Sequence, residues 1–156
     1  LCFVAGFAFP QHETQEDEFH HCYFNERSVS VGASGSYAFP VKIAGANARV
    51  YYNLAEQICF GPEYAWFKSN HLEVNEVNFV GHYIFETPIV GIYPVVGINY
   101  TSEKEEHSTE SGLSGLAGLG FHRNFRKFTL FGEWVQVQGT FSERVVNIGM
   151  MYTFKP

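Results

Sequence analysis

Apolar side chains alternate with small or polar ones over residues 145–154. The apolar row consists of Val146, Ile148, Met150, Tyr152 and Phe154, and the other row of Asn147, Gly149, Met151 and Thr153. Successive side chains of a β-strand point to opposite faces, so this period of two predicts a strand with one apolar face. The opposite face, with its glycine, asparagine and threonine, suits a narrow, filled and polar lumen.

The same alternation recurs along most of the chain. It predicts further strands at residues 28–39, 44–54, 57–68, 74–85, 89–101, 112–122 and 127–138. Each segment is close to the roughly ten residues that a tilted membrane strand needs. A sheet in a bilayer has to close on itself, because lipid offers no hydrogen bonds to an open edge. The pattern therefore predicts an all-β fold, an eight-stranded antiparallel up-and-down transmembrane β-barrel, with residues 102–110 as its longest loop.

Composition narrows the choice of partner. Aromatic residues make up 17% of the chain, charged residues 17%, and there are 15 glycines. No run reaches the roughly 18 apolar residues of a membrane helix. The net charge of −6 argues against nucleic acid, which needs a basic surface. We therefore expect no nucleic-acid partner, and the predicted transmembrane barrel implies that lipid surrounds the protein.

Charged side chains occur at several positions predicted to point inward. They are Arg49, Glu63, Glu76, His82 and Glu133. Paired carboxylates can perform acid–base catalysis when their environments differ. In a filled lumen, however, an arginine more commonly compensates carboxylates that are costly to bury alone. We predict a lumen charge network around Arg49, with no catalytic residue, and with Tyr51, Tyr93 and Phe131 filling the remaining space.

Aromatic side chains recur near the ends of the predicted outward rows. The predicted membrane-interface aromatics are Tyr37, Tyr52, Tyr64, Trp66, Tyr83, Tyr100, Trp134, Tyr152 and Phe154. Their rings are apolar with polar edges, which suits the two membrane–water boundaries of a barrel.

The chain before the barrel has a different character. Residues 1–10 are apolar, and two interpretations stay open: the end of a signal peptide, or an ordered apolar segment of the mature protein. Residues 11–27 are polar and acidic, which predicts a solvated leader. The histidines and Cys22 in this leader lack the spacing of a metal site, so no metal or other cofactor is expected. Cys2 and Cys22 could pair, whereas Cys59 falls within a strand. We divide the chain into a leader at 1–27 and a barrel at 28–154.

Short motifs carry a resemblance to a known family. Gly61-Pro62-Glu63-Tyr64 lies within the stretch 53–66, and the other motifs are Pro94-Val95-Val96-Gly97, residues 115–121, Phe131-Gly132-Glu133-Trp134 and the final Tyr152-Thr153-Phe154. Over residues 28–154 the chain resembles the small eight-stranded outer-membrane barrels of the OmpA/OmpX type. The resemblance implies an integral protein of the bacterial outer membrane with both termini in the periplasm. It also implies outer-membrane lipid as the main partner, with other outer-membrane proteins as candidates. The predicted outer loops are short for that family.

Three classes of function compete. A soluble lipocalin-like carrier would need an apolar lumen and a polar exterior, which is the inverse of these rows. A barrel enzyme acting on lipid or peptide would need a nucleophile, a base and an orienting group held together. His107 and Ser108 lie in a predicted charged loop, which would not fix a nucleophile and a base in a catalytic arrangement. The sequence favours a non-enzymatic outer-membrane barrel with a plugged lumen, a structural or accessory subunit of an envelope assembly.

Overall fold

The computed structural model describes residues 24–105, 107–125 and 127–154 of the 156-residue chain. It consists of β-strands joined by turns. The strands are β1 (Ser28–Ala38), β2 (Ile43–Ala55), β3 (Ile58–Lys68), β4 (Leu72–Tyr83), β5 (Phe85–Glu86), β6 (Gly91–Glu105), β7 (Thr109–Phe125), β8 (Phe128–Gly139) and β9 (Glu143–Phe154). Within these ranges, no helix has the length and apolar character needed to cross a membrane.

The eight long strands form one closed antiparallel barrel. Long strands that follow one another in sequence pair with each other, including β4 with β6, and β1 pairs with β9 to close the sheet. The two-residue β5 pairs only with the start of β6. Closure leaves no long strand with an open edge, which is the condition for a sheet in lipid. The predicted fold class is confirmed.

The barrel has two ends, which we call proximal and distal. The proximal end is where β1 begins and β9 ends, and it carries the turns after β2, β5 and β7. The distal end carries the turns after β1, β3, β6 and β8. The predicted leader at 1–27 lies outside the described residues except for its last four, which lie at the proximal end with Phe24 buried and the next three residues exposed.

Two predicted boundaries are wrong. The predicted loop at 102–110 is mostly strand, because β6 continues to Glu105, β7 begins at Thr109, and Lys104 pairs with Thr109. Charged residues at a barrel rim stand in water, so they end the apolar alternation without ending the hydrogen-bonded ladder. The predicted strand at 74–85 breaks at Ile84, whose amide donates to the carbonyl of Gln57 across the proximal end, 2.8 Å away.

The outer wall is apolar. Large hydrophobic side chains stand exposed on every long strand, including Ile148 (70% exposed), Leu113 (67%) and Ile98 (62%). The polar side chains of the alternate rows, among them Ser30, Asn53, Asn99 and Thr101, are buried inside. This is the reverse of a water-soluble protein, in which exposed positions are predominantly polar.

Large and small residues face each other across neighbouring strands inside the lumen. Tyr93 lies opposite Gly120, Phe131 opposite Gly149, and Phe67 opposite Gly45. A Cβ atom added at any of these glycines would collide with the facing ring. An eight-stranded barrel is just wide enough for its own side chains, so each large ring needs an adjacent gap.

The lumen is less polar than the sequence predicts. One buried apolar cluster includes Phe24, Val80, Val95 and Met151, and a second, nearer the distal end, includes Phe67 and Val74. The physical reason is the narrow bore, which has to be packed at the density of a protein core. Apolar and aromatic side chains therefore pack between the polar groups of the lumen.

Candidate functional site

Arg49 lies at the centre of the lumen and forms ion pairs with two carboxylates. Its Nη1 atom is 2.7 Å from Oε1 of Glu133, and its Nη2 atom is 3.4 Å from Oε1 of Glu63. Arg49 on β2 and Glu63 on β3 are direct cross-strand partners, whereas Glu133 reaches Arg49 from β8 on another part of the wall. The side chain of Arg49 is fully buried, and those of Glu63 and Glu133 nearly so.

Hydrogen bonds from uncharged side chains extend this charged centre. The Tyr93 hydroxyl donates to Oε1 of Glu133 at 2.9 Å, and the Tyr51 hydroxyl donates to Glu63. The side chain of Asn47 accepts a hydrogen bond from Nε of Arg49 and donates one to Glu63, and both bonds are 3.2 Å long. The guanidinium also lies 4.2 Å from the centre of the Phe131 ring, a cation–π distance. Satisfied partners are what make buried charge tolerable.

Two of the five predicted network residues lie in other layers of the lumen. Glu76 is buried beside Glu143 near the distal end, and its Oε1 atom has no hydrogen-bond partner among the described residues. His82 lies toward the proximal end, with its ring 4.9 Å from Tyr51 and its Nδ1 atom 3.5 Å from Sγ of Cys59. Within the described chain, the ion pairs of Arg49 reach Glu63 and Glu133 and neither of these two residues.

The lumen offers little room for a ligand. A cavity between the charged centre and the distal end measures about 20 Å³ and is lined by Glu63, Glu76 and Asn147, among others. That volume accommodates about one water molecule. Among the described residues, no group of three or more histidine, cysteine or acidic side chains is arranged to hold a metal ion. The arrangement can fix the barrel wall from inside and block passage along its axis.

We expect the folded protein to show no steady ion conductance in planar lipid bilayers. The guanidinium of Arg49, its carboxylate partners and the rings of Tyr93 and Phe131 occupy the bore at one level. Single-channel recording of the refolded protein, with boiled protein as the control for membrane damage, measures this. Discrete and lasting current steps from the folded sample alone would contradict a plugged lumen.

The predicted interface aromatics all lie on the outer wall, in two groups. The proximal group consists of Tyr52, Tyr83, Tyr152 and Phe154, and the distal group of Tyr37, Tyr64, Trp66, Tyr100 and Trp134. Several polar edges are hydrogen-bonded along the wall: the Tyr64 hydroxyl donates to Asn75 at 2.6 Å and the Trp66 indole to Glu73 at 3.3 Å. Tyr52 and Phe154 pair with Val29, which lies eight residues before Tyr37 on β1, so the two groups are about 20 Å apart along the barrel axis.

A column of rings was not predicted from the sequence. Phe24 packs on His122, His122 on Tyr93, Tyr93 on His82 and His82 on Tyr51, with ring centres between 4.8 and 5.3 Å apart. Alternation places four of these rings on inward rows. Phe24 carries no such signal, because it precedes β1 in a polar stretch and is nevertheless buried.

Comparison with known proteins gives structural matches only. No protein-family model matches the sequence, and no curated protein matches it significantly. The N-terminal β-barrel domain of Pseudomonas aeruginosa OprF is similar in structure, with a TM-score of 0.68, 18% sequence identity, and coverage of 83% of this chain and 98% of that one. Ail, the attachment invasion locus protein of Yersinia pestis, matches with a TM-score of 0.56 and 16% identity over 81% of this chain and 97% of its own.

Neisserial surface protein A is similar as well, with a TM-score of 0.55, 15% identity, and coverage of 81% of this chain and 96% of that one. Identities this low bear on architecture alone. Together with the closed eight-stranded barrel, the matches confirm the predicted resemblance at the level of the fold. The chain has the fold of the small eight-stranded outer-membrane β-barrels.

Proposed function

We propose that this chain is a non-enzymatic integral protein of the bacterial outer membrane, with a plugged lumen, that serves as a structural or accessory subunit of an envelope assembly. The observation that carries the proposal is the inverted distribution of polarity. Apolar side chains cover the outside of a closed barrel, and an ion-paired arginine fills its centre. The inferred orientation places the proximal end, with both termini, in the periplasm.

The absence of catalysis is part of the proposal and rests on access. The carboxylate of Glu133 is engaged with its neighbours, because it accepts hydrogen bonds from Arg49, Tyr93 and Asn147. A substrate would have to enter a bore whose cavity holds about one water molecule. The same filling argues against a lipocalin-like carrier, which needs an empty apolar lumen.

An accessory role requires a surface for a neighbour, and the outer wall offers one between β7 and β8. A groove of about 480 Å³ is lined there by Gly115, Ala117, Leu119, Trp134 and Gln136, among others. Small residues on a lipid-facing wall let another chain approach closely, and glutamine side chains hydrogen-bond across membrane interfaces. The proposed occupant is another outer-membrane protein.

Not every small outward residue is available for such an approach. A Cβ atom at Gly35 or Gly81 would meet nothing within 4 Å, so these positions are open. Gly132 is different, because the ring of Phe121 already covers it. Gly115 is nearly as open, with the nearest atom 3.8 Å from an added Cβ, and it lines a groove together with Ala117, so this groove is the better candidate for a contact with a partner.

We expect gentle detergent extraction from the native membrane to yield a complex heavier than the single chain of 17.7 kDa. Native mass spectrometry measures this. Replacing Ala117 by leucine would fill the groove and should release the single chain, because close approach is lost. The matched control is Ala33→Leu, which adds the same bulk to the exposed outer face of β1, away from the groove.

The outcomes separate cleanly. A single chain under every mild condition would contradict the accessory role. A complex that survives both substitutions would leave the role intact and place the contact elsewhere on the wall.

A further inference from the structure

Phe24 occupies the proximal mouth of the barrel although it belongs to a polar stretch. It is 5% exposed, whereas the three residues that follow it are exposed. Its amide donates a hydrogen bond of 3.2 Å to the carbonyl of Glu56, which lies in the turn between β2 and β3. Its ring lies 5.2 Å from the ring of His122 on β7. One aromatic side chain is thus drawn inward from a segment that otherwise faces solvent.

Beneath Phe24 lies the aromatic column of His122, Tyr93, His82 and Tyr51. The column ends at the charged centre, where Tyr93 and Tyr51 donate to Glu133 and Glu63. Cys59 belongs to the same buried cluster as Phe24 and is 1% exposed. Phe24 is therefore the outermost member of a stack that leads from the proximal mouth to Arg49.

We propose that the proximal mouth is a docking site for the chain's own N-terminal segment, with Phe24 as its anchor, and that the docked ring seals the lumen over Cys59 and His82. The occupant is fixed by the structure, because Phe24 itself sits in the site. This inference concerns the barrel alone and does not depend on the accessory role.

The anchor is small compared with the barrel it closes. It consists of one buried ring and one backbone hydrogen bond, whereas β1 pairs with β2 along its whole length. Regions with few buried contacts open locally at a lower free energy than global unfolding. The seal therefore opens without unfolding of the barrel, and opening exposes the thiol of Cys59 to water.

The thiol of Cys59 is a built-in reporter of the seal. In a Cys2→Ser/Cys22→Ser background, Cys59 is the remaining cysteine of the sequence. The folded protein in micelles is treated with a charged, water-soluble methanethiosulfonate, and labelling is followed by mass spectrometry. We expect slow labelling of the background protein and labelling at least about tenfold faster in Phe24→Ala, because removing the ring opens the mouth.

Two further variants keep the test decisive. Phe24→Leu retains an apolar anchor and should label nearly as slowly as the background. Phe85→Ala removes a phenylalanine that is 57% exposed at the same end of the barrel, and it should leave the rate unchanged. If Phe24→Ala does not fold, as judged by heat-dependent gel mobility, Phe24→Val serves in the same comparison. Equal labelling rates in the background and the Phe24 variant would overturn the proposal.

Discussion

Replacement of Arg49 by methionine is expected to destabilise the folded barrel by about 3–5 kcal/mol. The substitution keeps an unbranched, flexible side chain, although a shorter one, and removes its charge. Glu63 and Glu133, 7% and 4% exposed, would then remain in the lumen without a cation. Leaving one member of a buried ion pair uncompensated costs far more than the intact pair contributes. Urea unfolding in lipid vesicles, followed by tryptophan fluorescence, measures the free energy of unfolding.

The matched control neutralises the whole centre. In the triple variant Arg49→Met/Glu63→Gln/Glu133→Gln no buried charge is left unpaired, so most of the lost stability should return. Replacing a buried ion pair by neutral groups of similar volume is often close to neutral. A loss below about 1 kcal/mol in Arg49→Met alone would contradict the view that Arg49 compensates the lumen carboxylates.

Alternation determined most of what could be predicted about this barrel. Because the period of two assigns each side chain to one face, the sequence alone placed Arg49, Glu63 and Glu133 inside and Ile148 outside. The strand boundaries were predicted less well at the rim. There Lys104 and Thr109 look like loop residues in the sequence, although they pair with each other at the end of the ladder between β6 and β7.

Contacts inside the lumen could not be predicted in the same way. Arg49 meets Glu63 through the register of one hairpin, but it meets Glu133 only because the sheet closes with a particular stagger. Glu76 has the same inward orientation and lies at a different height, so it pairs with Glu143 rather than with Arg49. Phe24 lies outside any alternating segment, and its burial follows from the open mouth above the ring of His122.

Ile148→Arg is expected to cost about 2–4 kcal/mol in a bilayer and little in an aqueous surface. Ile148 is the sixth of the 12 residues of β9 and points outward near the middle of the wall. Its cross-strand neighbours are Gly35 and Gly132, which explains its 70% exposure. Neither glycine offers a shield or a counter-charge to an arginine, so the full desolvation penalty would be measured by urea unfolding in vesicles.

The control places the same charge at the distal rim of the wall. Ser102→Arg adds an arginine to the outward row of β6, beyond Tyr100, where water and headgroups are within reach. We expect a cost of about 0–1 kcal/mol there. On β9 itself the native Arg144 occupies the outward row four residues from Ile148, which shows that the rim tolerates the charge.

Equal stability of the Ile148→Arg and Ser102→Arg variants would mean that no hydrocarbon surrounds the middle of the wall, and membrane integration would then be wrong. A large loss of stability in Ile148→Arg alone would place Ile148 near the bilayer midplane, because the free-energy penalty for an arginine falls from the midplane to the interface.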